Sequence, residues 1–211
     1  MERLPPRPAQ LAVYQGVYTV ENYLKEGIIS IVPVYTATER ALVTTLEKEH
    51  HEGRTVPWLV EKLATYYSIN INELRRLYGD ILSIKKHVTL PINDDLILVP
   101  VKTRAQIAQG ETTIGYISLL QVDDVEAYQG PDDEPYLSFI NFKNGSVLYT
   151  LNTVETLRDK IRQGEQVRRH LLVRRSKGTA NKGLTTEDIN LPHCECLLLD
   201  LFTEMFNINK D

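Results

Sequence analysis

The sequence predicts an α+β protein, a β-rich antiparallel single domain with a few short helices and a C-terminal helical extension. Three observations lead there. Short runs rich in β-branched residues recur along the chain and are separated by turn-forming residues. An Asn144-Gly145 pair joins two such runs with the strongest two-residue hairpin signal, since a type I′ turn needs positive φ at both positions. Before residue 168, the spacing of apolar residues takes a helical period in only two zones.

Taken in order, the Pro-rich start through Pro8 reads as a flexible or extended lead-in, assigned to residues 1–17. Gly27 to Tyr35 is dense in β-branched residues and reads as a strand, with Pro33 ending it or placing it at an edge. Ala41 to Leu46 reads as its antiparallel partner across a loop from Thr36 to Arg40. Pro57 to Tyr78 changes period: Leu59, Leu63, Tyr66 and Tyr67, then Ile71, Leu74, Leu77 and Tyr78, are spaced for two short helices. Strands are expected over Ile81–His87, Asp95–Val101, Ile114–Leu120, Tyr136–Phe142 and Ser146–Leu151. Thr153 to Val167 reads as a helix capped by Asn152 or Thr153, with Leu157 and Ile161 inward. The domain is thus expected over 18–167. Residues 168–211 would form a basic linker, Arg168 to Gly183, and a final apolar helix, Cys194 to Phe206.

Composition bounds the function. The chain has 211 residues, 42% hydrophobic and 25% charged, which suits a globular fold and not a disordered one. No apolar run is long enough to span a bilayer, and the first residues lack the apolar core of a signal peptide, so a cytoplasmic protein with no membrane association is expected. Cys194 and Cys196 are the only cysteines and stand too close for an unstrained disulfide. The net charge of −4 conceals segregation. Gln121 to Phe139 carries six acids and no base, whereas Arg158 to Lys182 carries nine bases against Asp159 and Glu165. A basic face can therefore exist on an acidic protein.

Catalytic signatures are missing: there is no Gly-rich phosphate loop, no His-Glu-x-x-His and no nucleophile elbow. His193, Cys194 and Cys196 fall short of the four ligands zinc wants unless His50, His51, His87 or His170 lies nearby to complete the set, so inert cysteines on a helix are the better reading. The pairs Asp123/Asp124 and Asp132/Asp133 could hold Mg²⁺ for a metal-dependent nuclease, but neighbours on a strand point to opposite faces, so an acidic loop is the better reading. No catalytic residue, cofactor or metal is expected.

The most informative segment runs from Ser83 to Ser118. Lys85, Lys86, Lys102 and Arg104 bracket the apolar run Leu96 to Val99, punctuated by Pro91 and Pro100 and followed by Gly115-Tyr116-Ile117-Ser118. This order of lysines, Leu-Pro-Ile, aliphatic run, Val-Pro, polar loop and Gly-aromatic-Ile-Ser resembles the ComK family of bacterial competence transcription factors. The resemblance extends over most of Tyr18 to Arg169. It takes in Ile29–Tyr35 as the family's early strand and Tyr66-Tyr67-Ser68 with Arg75 and Gly79 as its arginine-bearing stretch. Phe142-x-Asn144-Gly145 is similar to its late hairpin. It implies a transcription activator that binds double-stranded, AT-rich DNA through the minor groove as a homodimer or higher oligomer, with a regulatory protein partner. The minor groove distinguishes mainly A·T from G·C, and narrow A-tracts attract Arg and Lys. On this reading the DNA contacts fall to Arg75, Arg76, Lys85, Lys86, Lys102 and Arg104. A shorter stretch, Trp58 to Leu74 with Leu90 to Pro100, also resembles a LysM carbohydrate-binding repeat, a β-α-α-β unit.

Overall fold

The computed structural model describes residues 12–14, 19–36, 38–131 and 134–180, with 12–14 and 175–180 described by their backbone alone. Its elements run β1 (Ala12–Tyr14), α1 (Val20–Glu26), β2 (Ile28–Pro33), β3 (Ala41–Thr45), β4 (Lys48–Glu52), α2 (Val56–Tyr66), α3 (Ile71–Leu82), β5 (Leu90–Pro91), β6 (Ile97–Lys102), β7 (Ile114–Ser118), β8 (Val122–Ala127), β9 (Ser138–Phe142), β10 (Val147–Thr150) and α4 (Val154–Ala180). The α+β, β-rich class is as expected. Seven strands form one sheet in the order β1-β4-β3-β2-β7-β6-β5, and β10-β9-β8 form a second. Every pairing is antiparallel except β1 with β4.

The central strands β2, β6 and β7 explain the layering. On β6, Leu98 turns toward α2 and α3, while Ile97, Val99 and Val101 turn the other way, toward the small sheet and α4. Both faces of β6 are covered, so its sequence is a continuous apolar run and not an alternation. On the first side Ile31, Val43, Leu59, Val60, Leu63 and Leu98 pack together. On the second, Ile117, Val125, Ile140, Phe142 and Leu157 close the core. Gly164 permits the approach of α4, since a Cβ there would lie 3.0 Å from both Leu119 and Val99. Each large aliphatic side chain so buried contributes roughly 1.5–3 kcal/mol.

Four expectations are corrected. Ile81–His87, expected as a strand, is the last turn of α3 followed by a tight loop, because Ser83 takes the left-handed conformation and ends the helix. Arg168 onward, expected as a linker, continues α4 through Ala180, with no Pro before that point to stop it. Asp123 and Asp124, expected in an acidic loop, lie on β8, whose ladder to β9 shifts register between Val122 and Asp124 and leaves both carboxylates exposed. Within the stretch expected as a lead-in, Ala12–Tyr14 pairs with β4.

Three further elements went unpredicted: α1, β4 and the two-residue β5. α1 is only seven residues long, started by reciprocal hydrogen bonds between Thr19 and Asn22. β4 reads Lys-Glu-His-His-Glu, with no apolar residue to mark it. It is held by buried polar contacts: Glu26 accepts from Thr45 at 3.0 Å, bonds His50 at 2.7 Å and pairs with Lys48 at 3.1 Å. His50 is 2% exposed.

Residues through Leu172 form one compact unit and Val173–Asp211 a second. The expected helix over Cys194–Phe206, His193 and the pair Asp132/Asp133 lie outside the described residues. No described helix is long and apolar enough to cross a membrane.

Candidate functional site

The end of α3 builds the site. Asn70 caps its start, its side chain accepting from the amides of Asn72 and Glu73 at 3.1 and 3.3 Å. Tyr78 and Gly79 face inward. Arg75 and Arg76, one turn earlier, are exposed. At the other end Ser83 adopts φ 55°, and the amide of Ile84 returns to the carbonyl of Gly79 at 2.9 Å, the longer bond of a Schellman turn. The chain then reverses through Lys85 and Lys86. His87, at φ 54°, turns it into Val88, which is buried against Tyr78 and Val167. Two left-handed residues thus bracket the lysine pair and fix its direction.

The result is a cleft of about 460 Å³ lined by Arg75, Arg76, Lys85, Lys86 and His87, with Gly79, Ile84, Val88 and Tyr116 below and Asp80 as its one carboxylate. That volume falls in the range of about 300–1,000 Å³ typical of ligand clefts. Four cations against one acid make it strongly electropositive. Arg75, Lys85 and Lys86 make no salt bridge with a described acid; Arg76 pairs with Glu73 at 2.8 Å. The hydrogen bond and charge of Glu73 raise the Arg76 guanidinium above its ordinary value. Burial pushes the Tyr116 hydroxyl up, with the Arg75 guanidinium beside it pulling the other way.

Two groups that sequence reading did not assign to the site complete it. His87 is held below its ordinary value by desolvation, then by the charges of Lys160 and Lys86. Lys160, on α4, is itself lowered by burial. Lys160 was legible only as one base in a basic helix. Its position behind the lysine loop depends on how α4 packs.

Lys102 and Arg104 are not among the residues lining the cleft. Lys102 is the exposed last residue of β6, its amide donating to Asn152 Oδ1 at 2.7 Å and its carbonyl accepting from Leu151 at 2.8 Å. Arg104 is committed locally. It pairs with Glu111 at 3.1 Å and lies over the Tyr35 ring at 4.7 Å, and the Tyr35 hydroxyl accepts from the amide of Thr112 at 2.9 Å. Arg104 thereby clamps the 103–113 loop.

The acids form a different surface. Asp123, Asp124 and Glu126 are exposed on β8, and Tyr128, hydrogen-bonded to Glu134, is pushed up to about 12. Among the described residues, no group of three His, Cys, Asp or Glu is placed to hold a metal ion. α2 and α3 are also not a closed β-α-α-β unit: β4 before them and β6 after them are separated in the sheet by β3, β2 and β7. Comparison with protein-family models, with curated proteins and with solved structures gave no match.

Proposed function

We propose that this protein is a DNA-binding transcriptional regulator of the competence-factor type, which engages AT-rich duplex mainly through the minor groove as a homo-oligomer. One observation carries the reading: Arg75 and Arg76, on a helix, and Lys85 and Lys86, nine or more residues later in a separately shaped loop, converge on one electropositive cleft. A surface that only kept the protein soluble would not need two left-handed residues to aim a lysine pair at two arginines. Arg75 and Arg76 are the groove-reading candidates, because guanidinium groups favour the enhanced negative potential of a narrow A-tract groove. Lys85 and Lys86 serve as phosphate contacts, which set position and affinity without reading sequence. Lys102 contributes at long range. Arg104 acts through the loop it clamps.

Binding of the full chain to fluorescent A-tract and G·C duplexes of equal length tests this. Tighter binding to the A-tract, with the gap narrowed by Arg75→Ala or Arg76→Ala, is the expected result. Equal affinities for both duplexes would remove the groove reading, and no binding to either would remove the function.

A further inference from the structure

Around the cleft the cations outnumber the carboxylates: Asp80 lines it, and Glu73 pairs with its Arg76 at 2.8 Å. On α3 stand Arg75 and Arg76, together with Asp80; on the loop, Lys85 and Lys86; on β7, the neutral Tyr116 hydroxyl. From α4, Lys160 lies close enough to act on His87. Another histidine, His170, packs edge-on to Tyr78 at 5.6 Å, with its Nδ1 buried and without a hydrogen-bond partner. Among the described histidines only His87 lines the cleft, and its left-handed backbone is a conformation that few residue types accept.

A neutral imidazole in such a setting has an evident use. Burial, and then the charges of Lys160 and Lys86, disfavour the imidazolium, so protonation of His87 is suppressed while the cleft is empty. An oxyanion seated among Arg75, Arg76, Lys85 and Lys86 offsets part of that positive charge and makes an N–H donor more useful than a lone pair. We infer that the cleft is a proton-coupled oxyanion site, in which His87 takes up one proton from solvent when a phosphate or sulfate group enters and releases it when the group leaves. By linkage, anything that binds with proton uptake binds more tightly as pH falls, by at most about tenfold per pH unit for one proton. Duplex phosphate is the physiological oxyanion only if the duplex-binding reading holds. The coupling itself belongs to the cleft and would act equally on a free oxyanion.

Sulfate is the probe of choice, because it stays fully ionised across the histidine range and any proton taken up belongs to the protein. Histidine ring resonances of the full chain are followed against pH with and without sulfate, the His87 signal being identified by its loss in His87→Asn. Asn tolerates the left-handed conformation, and His87→Gly, free of any Cβ, serves as a second variant should the first misfold. The His87 midpoint should lie below the ordinary histidine value without sulfate and rise with it. Lys85→Gln with Lys86→Gln should blunt that rise. An unchanged His87 midpoint overturns the inference. In a second arm, A-tract duplex affinity should fall more steeply with rising pH for wild type than for His87→Asn, and equal slopes in the two proteins also overturn it. A sulfate response with no duplex binding upholds the proton-coupled site and removes the duplex reading instead.

Discussion

Ile84 folds back on Gly79: its amide donates to the Gly79 carbonyl at 2.9 Å, and its own carbonyl oxygen lies 2.9 Å from where a Cβ on Gly79 would stand. The turn that aims Lys85 and Lys86 is therefore built on the absence of a side chain one turn earlier. In an open helix Gly→Ala gains about 0.5–1 kcal/mol. Here the new methyl meets backbone oxygen, which cannot swing aside as a side-chain tip can. Gly79→Ala should lose about 1–3 kcal/mol by overpacking, measured by urea unfolding, and should weaken duplex binding as the loop is displaced.

Arg104 and Glu111 should behave as a pair. Their ion pair is mostly screened from water, and replacing either should loosen the 103–113 loop. Arg104→Gln should speed limited proteolysis and amide exchange there while changing the salt dependence of duplex binding little. A loss of salt slope as large as that from Lys85→Ala would show that Arg104 leaves Glu111 to contact phosphate.

Lys160 carries its charge at a cost, since burial lowers its pKa. A base whose folded value is depressed opposes folding while the unfolded chain binds the extra proton, so the penalty holds at neutral pH and fades as pH rises toward 10.5. Lys160→Met should thus stabilise the protein at neutral pH by about 0.5–1 kcal/mol, with the gain shrinking in alkali. It should also raise the His87 midpoint by removing one of the charges that lower it.

The same sign applies to His87 in the mildly acidic range. Its folded value lies below the ordinary 6.5, so without ligand it should cost the wild type stability as pH falls through that value. His87→Asn removes this share. The difference in urea midpoint between wild type and variant should therefore be larger near about pH 5 than near about pH 8. A constant difference would count against the cationic surroundings described.

How much of this was legible in the sequence follows from what each element uses to hold itself together. Strands covered by apolar layers, such as β2, β6 and β7, announce themselves through Ile31, Val99 and Ile117, and the β9–β10 turn through Asn144-Gly145. β4 could not be read because Glu26, at the end of α1 and outside the strand itself, supplies the partner that lets His50 be buried. α3 outran its predicted end because Ile81 and Leu82 suit a strand and a last helical turn equally well, and only the left-handed Ser83 decides between them. The lysine and arginine pairs could be named from sequence. That they share a cleft depends on the reversal at Ser83–His87, and the roles of Lys160 and His87 depend on the packing of α4, which no local pattern encodes.

The most direct test of the central claim is the salt dependence of A-tract duplex binding by the wild type and by Lys85→Ala/Lys86→Ala. Each phosphate neutralised contributes roughly −0.9 to the slope of log K against log salt. If the cleft holds duplex phosphate, the double variant should lose about one to two units of slope and bind more weakly at low salt. A slope identical to that of the wild type would mean that the cleft does not meet the DNA backbone, and would contradict the account.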